Sequence, residues 1–202
     1  MSKADLLEQG KLVMAEFCTL NNVFQPAIRQ HTPETWSFGV CAYYRAGVTN
    51  ICVSRCAAVG TAGRQWSYPG YTVDRTPYGV LQHELGHHVD VQRGSRRASY
   101  WSDFSKAIRE QSGETPITSY CPNDAEWFAE MFRVFVTNPD LLRLVRPRTF
   151  RELRFHFTPV FSDSWSDRLR DAPERTRRAA ERQIEVLSAK TSACDLFESA
   201  NR

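Results

Sequence analysis

A chain of 202 residues, 42% hydrophobic and 12% aromatic, can bury one sizeable core, and one compact domain is the simplest division of that length. Its net charge of +3 and pI near 8.6 are mild, although arginine is concentrated after residue 142. No apolar run approaches the roughly 20 residues needed to span a bilayer, and the mean hydropathy is negative, so a membrane-embedded protein is excluded.

The chain begins MSKADLLEQGKLVMAEFC, which has a charge or polar group in every short window and so lacks the apolar stretch of a signal peptide. It reads as an amphipathic first helix of a soluble, cytoplasmic protein. Six cysteines, at 18, 41, 52, 56, 121 and 194, form neither CxxC pairs nor a dense disulfide pattern, so reduced thiols are expected. Cys52 and Cys56 lack the second close pair that a cysteine-built zinc site usually has.

Residues 36 to 56, WSFGVCAYYRAGVTNICVSRC, alternate and are rich in Val, Tyr, Phe and Cys, with Ala46-Gly47 in the middle. Two strands joined by a turn fit this pattern. The next segment, AAVGTAGRQWSYPGYTVDRTP, is full of Gly, Pro, Ser and Thr and predicts a loop. It ends in helix-start chemistry: Thr76 can cap and Pro77 suits the first helical position, so a helix is expected from about residue 77 to 92, stopping at Gly94.

A further helix is predicted over ASYWSDFSKAIREQ, closed by Ser112-Gly113, and another over DAEWFAEMFRVFVT, from about 123 to 137. Trp127, Phe128, Met131, Phe132 and Phe135 give the latter a broad apolar face that calls for burial. Beyond it, prolines at 139, 147, 159 and 173 cut a helical C-terminal region, about 139 to 190, into short pieces before a last long helix over PERTRRAAERQIEVLSAK. Arginines in this region are interrupted by acids, which favours a solvated helix surface over a nucleic-acid face.

Within GVLQHELGHHVD, His83 and His87 stand four apart and lie one turn above each other on a helix. The pattern HExxH is that in which two imidazoles bind zinc and the enclosed glutamate, here Glu84, serves as general base. A chance HExxH in a chain of this composition has a probability on the order of one percent, so the chemical reading outweighs an accidental exposed pair. His88 points away from the His83/His87 edge and reads as a supporting or surface residue, and His31 and His156 as ordinary polar residues.

Catalytic zinc usually has three protein ligands. The extended motif HExxHxxGxxH fails, because Asp90 stands in place of its glycine and Arg93 in place of its third histidine. The best source of a third ligand is the apolar helix carrying Glu126 and Glu130 one turn apart, since carboxylates on a buried helix need partners. Zinc would partner Glu126, and the N–H of a zinc-bound imidazole would partner Glu130. Two other readings leave both glutamates facing solvent, or let Glu126 complete a capping box with Asn123.

HELGHHVD, then TSY, then NDAEWFAEMFR together resemble the gluzincin-type metallopeptidase domain of the anthrax lethal factor-like group, and small phage-encoded proteins of the same pattern. The resemblance spans roughly residues 76 to 136. It implies an α+β zincin-like fold: a small twisted sheet within residues 1–75, an active-site helix and a mainly helical C-terminal part, all in one domain. It also implies zinc on His83, His87 and Glu126, with Glu84 as base and Tyr120 assisting the transition state, although the loop between Tyr120 and Glu126 is a residue shorter than the family pattern. An edge strand within residues 38 to 56 would pair with an extended peptide, reading backbone more than side chain.

The function so implied is a zinc endopeptidase acting on protein or peptide inside a bacterial or phage-infected cell. Two competing readings are a non-catalytic zincin-fold module, for example in phage assembly, and a nucleic-acid-binding protein with a structural metal.

Overall fold

The computed structural model describes residues 2–58, 73–94, 103–118, 120, 123–139, 142–143 and 146–160. Among them are five α-helices and one mixed three-stranded sheet, an α+β arrangement. The helix expected over PERTRRAAERQIEVLSAK lies outside the described residues, as does most of the expected loop after Cys56.

Helix α1 runs Lys3–Leu20 and starts with a capping box in which Ser2 Oγ accepts the Asp5 N–H at 3.1 Å and Asp5 accepts the Ser2 N–H at 2.7 Å. Strand β1, Ala27–Gln30, follows. It was not legible in the sequence, being four mostly exposed residues without alternation.

Strands β2 (Ala42–Arg45) and β3 (Val48–Ile51) form the expected hairpin, shorter than the stretch that suggested it. Its two-residue turn places Ala46 at φ 49° and Gly47 at φ 82°. Both values are left-handed, the turn geometry that matches the twist of the flanking strands. The sheet order is β1-β3-β2, with β1 parallel and β2 antiparallel to β3, so β2 is an edge strand.

Helix α2, Pro77–Arg93, is capped by Thr76, whose hydroxyl accepts the Gly79 N–H at 3.2 Å. Gly94 ends it in extended rather than left-handed backbone (φ −71°, ψ 157°), so that glycine is not used for conformational freedom. Helix α3, Asp103–Ser112, closes at Gly113 with φ +61°, the position where a helix end favours glycine. Helix α4, Asp124–Thr137, and α5, Pro147–His156, complete the set. On α5, Arg148, Arg151 and Arg154 are exposed, as a solvated face requires.

The core lies where α1, α2 and α4 meet: Leu6, Met14 and Phe17 from α1, Leu81 and Leu85 from α2, and Phe128, Phe132 and Phe135 from α4. The Phe17 and Phe132 rings meet edge to face at 5.0 Å. Helix α2 is buried on nearly all sides, so its polar side chains need partners. Gln82 donates to Gly10 O at 2.9 Å, and Asp90 accepts the Ser105 N–H at 2.9 Å. No helix among the described residues is long and apolar enough to cross a membrane.

Candidate metal centre

The site forms where α2 crosses α4. A Cβ built on Gly86 would lie 2.8 Å from Ala129 Cα, so the two backbones approach closer there than any side chain permits. This approach brings the first turns of α4 against His83 and His87. The Asn123 side chain accepts the Glu126 main-chain N–H at 2.9 Å, so the cap leaves the Glu126 carboxylate free to turn inward.

That carboxylate turns to the histidines. Glu126 Oε2 lies 3.0 Å from His83 Nε2 and 3.5 Å from His87 Nε2, and the two Nε2 atoms are 3.2 Å apart. Four ligands placed tetrahedrally about zinc at bond lengths of 2.0–2.1 Å are separated by about 3.3 Å, close to these three edges. Two imidazole nitrogens and a carboxylate oxygen are also the donor types zinc accepts. Among the described residues this is the one group of three such side chains whose donor atoms converge. Cys52 and Cys56 make no comparable cluster: Cys52 Sγ lies 3.3 Å from Ser54 Oγ, and Cys56 Sγ points to Cys52 O.

A second layer of contacts orients these side chains. His83 Nδ1 lies 2.8 Å from Glu130 Oε1. Glu130 is 1% exposed and also accepts from Thr118 Oγ1 at 3.0 Å and from Arg133 Nε and Nη2 at 3.2 and 3.1 Å. Burial alone would raise the Glu130 carboxyl, but Arg133 and His83 outweigh it and hold it below the ordinary carboxylate range. Glu130 is therefore an anion that accepts Nδ1–H, so that Nε2 is the ring nitrogen that would face a bound ion. Burial likewise opposes ionisation of Glu126, and hydrogen bonds from His83 and His87 overcome it and keep its carboxyl depressed. For His83 burial favours the neutral ring, and the two glutamates together lift it well above the usual histidine value. A cation between these groups, proton or metal, is what the arrangement stabilises.

Glu84 sits on the neighbouring flank of α2, 6% exposed, and its carboxyl is raised chiefly by burial, against the lowering influence of both histidines. Two adjoining depressions share Val40, Ala42, His83, Glu84 and Tyr120, forming one cleft that follows β2 past the histidines. Tyr120 is 44% exposed at this cleft with its ring centroid 5.8 Å from that of His83, so it is not a core tyrosine.

The structure thus brings His83, His87, Glu126, Glu130, Glu84 and Tyr120 to one place. Sequence reading missed Arg133 and Thr118, which hold Glu130. The signal for Arg133 was a lone cation on an otherwise apolar helix, three residues after Glu130. His88, left open between two readings, is buried and hydrogen-bonded to Tyr44 and Phe24. His31 bonds Asn50 at 3.0 Å, and His156 packs against Phe104 and Phe157, both away from the cleft. No family model matches the chain, and no curated protein or solved structure matches it.

Proposed function

We propose that the protein is a zinc-dependent endopeptidase of the zincin type. The observation that carries this reading is the convergence of His83 Nε2, His87 Nε2 and a Glu126 oxygen on one point beside a buried, proton-accepting Glu84 in an open cleft. His83, His87 and Glu126 would hold the ion, which when bound acidifies water and polarises a carbonyl.

The chain's own groups supply the rest. Glu84, raised by burial toward the working range of a base, takes the proton of the attacking water and passes it to the amine as the C–N bond breaks. The Tyr120 hydroxyl, at the cleft, can donate to the oxyanion that develops on the carbonyl oxygen. Along β2, Arg45 and Val48 flank a two-residue turn and form a hydrogen-bonded pair, as does Cys41 with Cys52, whose N–H donates to Cys41 O at 2.9 Å. Alternation then directs the main-chain groups of Ala42 and the Tyr44 carbonyl outward over the cleft, where an extended peptide can pair with them, the Tyr44 N–H facing Glu84.

The test is metal content of the purified protein together with digestion of an unbiased peptide library, with and without chelator. One zinc per chain and chelator-sensitive cleavage are expected. Stoichiometric zinc without cleavage of any peptide would favour a non-catalytic module, and absence of zinc would remove the reading.

A further inference from the structure

On α2, Glu84 and His88 lie one turn apart, so they share a flank just as His83 and His87 share the next one. The Glu84/His88 flank meets β2, and both side chains hold the same residue. The Tyr44 main-chain N–H lies near enough to the Glu84 carboxylate to lower it slightly. The Tyr44 hydroxyl lies 3.0 Å from His88 Nδ1, with the two rings edge to face at 5.2 Å.

The contacts extend in both directions. Gly47 N–H, in the hairpin turn, donates to the Tyr44 hydroxyl at 3.0 Å. His88 Nε2 meets the carbonyl of Phe24, which Gln92 Nε2 also approaches at 3.2 Å. His88 Nε2 also lies 2.7 Å from Gln92 Nε2, so this end of the ring meets both Phe24 and Gln92 while Nδ1 faces the Tyr44 hydroxyl. The contacts thus run from the turn of the hairpin to the segment after α1.

We propose that Tyr44 and His88 form a strut that fixes the edge strand β2 over the metal-holding flank, making them positioning residues for the peptide in the cleft. The proposal rests on the peptidase reading. Strand β2 is four residues long and, among the described residues, pairs only with β3, so no described strand holds its outer side. Its distance from His83 and Glu84 is set by what ties it to α2. Small displacements there would misalign a peptide lying along Ala42 and Tyr44 relative to the groups that act on it.

Tyr44→Phe and His88→Phe, singly and together, would be compared with the parent chain, all loaded with zinc. Zinc content should not change. Amide hydrogen exchange over residues 42–51 should quicken about 5- to 10-fold in each single variant, the scale of one lost hydrogen bond, and no further in the double variant because both share that bond. Peptides long enough to lie along β2 should lose kcat/KM by a similar factor, through KM, while minimal substrates too short to reach the strand keep theirs. Unchanged exchange in both single variants would overturn the strut. Faster exchange with the same length dependence of kcat/KM as the parent would reduce the pair to packing. An inactive zinc-loaded parent would instead remove the peptidase reading on which the proposal rests, whereas an active parent with unchanged exchange removes the strut alone.

Discussion

Two adjacent flanks of α2 carry the same kinds of residue and treat them differently. Toward α4, His83 meets Glu130, and that carboxylate is held ionised by Arg133, Thr118 and His83 itself. Toward β2, Glu84 is also buried, and burial raises its carboxyl by more than the nearby His87 and His83 lower it. The lesson is that burial alone does not decide what a carboxylate does. With a guanidinium and a hydroxyl beside it, it stays an anion and orients a ring; without them, its carboxyl rises.

The widest separation between the flanks comes from changing one residue on each. His83→Ala should lose the ion and with it all hydrolysis. Glu84→Gln should keep one zinc per chain and lose turnover by at least about 10³-fold, since shape is kept and only the base is removed. Metal analysis beside single-turnover peptide cleavage checks both, and a Glu84→Gln variant of near-parent activity would move the base elsewhere.

Within the α4 flank, Glu126 and Glu130 offer a finer contrast. Glu126→Ala removes a donor atom and its charge, whereas Glu130→Ala removes the group that orients His83, for which about 10- to 100-fold in affinity is typical. Zinc titrated into both variants in one buffer and pH should therefore bind weaker to Glu126→Ala than to Glu130→Ala. The reverse order would exchange their roles.

Asp74 separates burial from chemistry. It is fully enclosed near the start of α2, Oδ1 accepting the Thr76 N–H at 2.9 Å and Oδ2 without a hydrogen-bond partner among the described residues. Burial pushes its carboxyl from 3.8 to about 6, with Arg133 opposing and Glu130 adding to the rise. The folded chain thus holds this proton to higher pH than the unfolded chain does. Its contribution to stability is greatest below the unfolded value and falls as pH rises from about 4 to 6, a change of about 3 kcal/mol. Asp74→Asn should flatten the stability curve across that window and stabilise the fold at pH 7.5 relative to the parent. Urea unfolding at several pH values reads this directly, and an unaltered slope would assign the dependence to other groups.

What was legible in the sequence was local. Thr76-Pro77 before an apolar repeat, Asn123 three residues before Glu126, and Ala46-Gly47 between alternating strands each act over a few residues, and each appears where expected. Strand β1 escaped because it is held by β3, twenty-one residues away along the chain at Ala27–Val48, rather than by any pattern of its own. The candidate ligands could be named from the HExxH spacing and a family resemblance, but the Arg133 and Thr118 contacts that keep Glu130 ionised depend on α4 and the segment before it folding together. His88 shows the same limit, since its partners Tyr44 and Phe24 lie on two earlier elements.

Gly86 joins the local and the distant. In the sequence it is only the glycine of HELGH; in the fold it is where α2 and α4 touch, and its missing side chain lets Glu126 and Glu130 reach His83. A methyl group at this point would stand 2.8 Å from Ala129 Cα, a backbone atom that moves only if the helix moves. Gly86→Ala gains helix propensity, worth about 1 kcal/mol, against overpacking that typically costs about 1–3 kcal/mol. Net destabilisation should therefore be small, at most about 2 kcal/mol, while zinc affinity falls because the α4 donor is displaced from the two on α2. Thermal melts with and without zinc distinguish the two effects: the metal-free melting temperature should fall by about 2–4 °C per kcal/mol lost, and the zinc-induced rise should shrink in addition. A variant with the full zinc-induced rise would mean that the helices re-pack around the methyl without moving Glu126, and that the site is less dependent on this crossing than its geometry suggests.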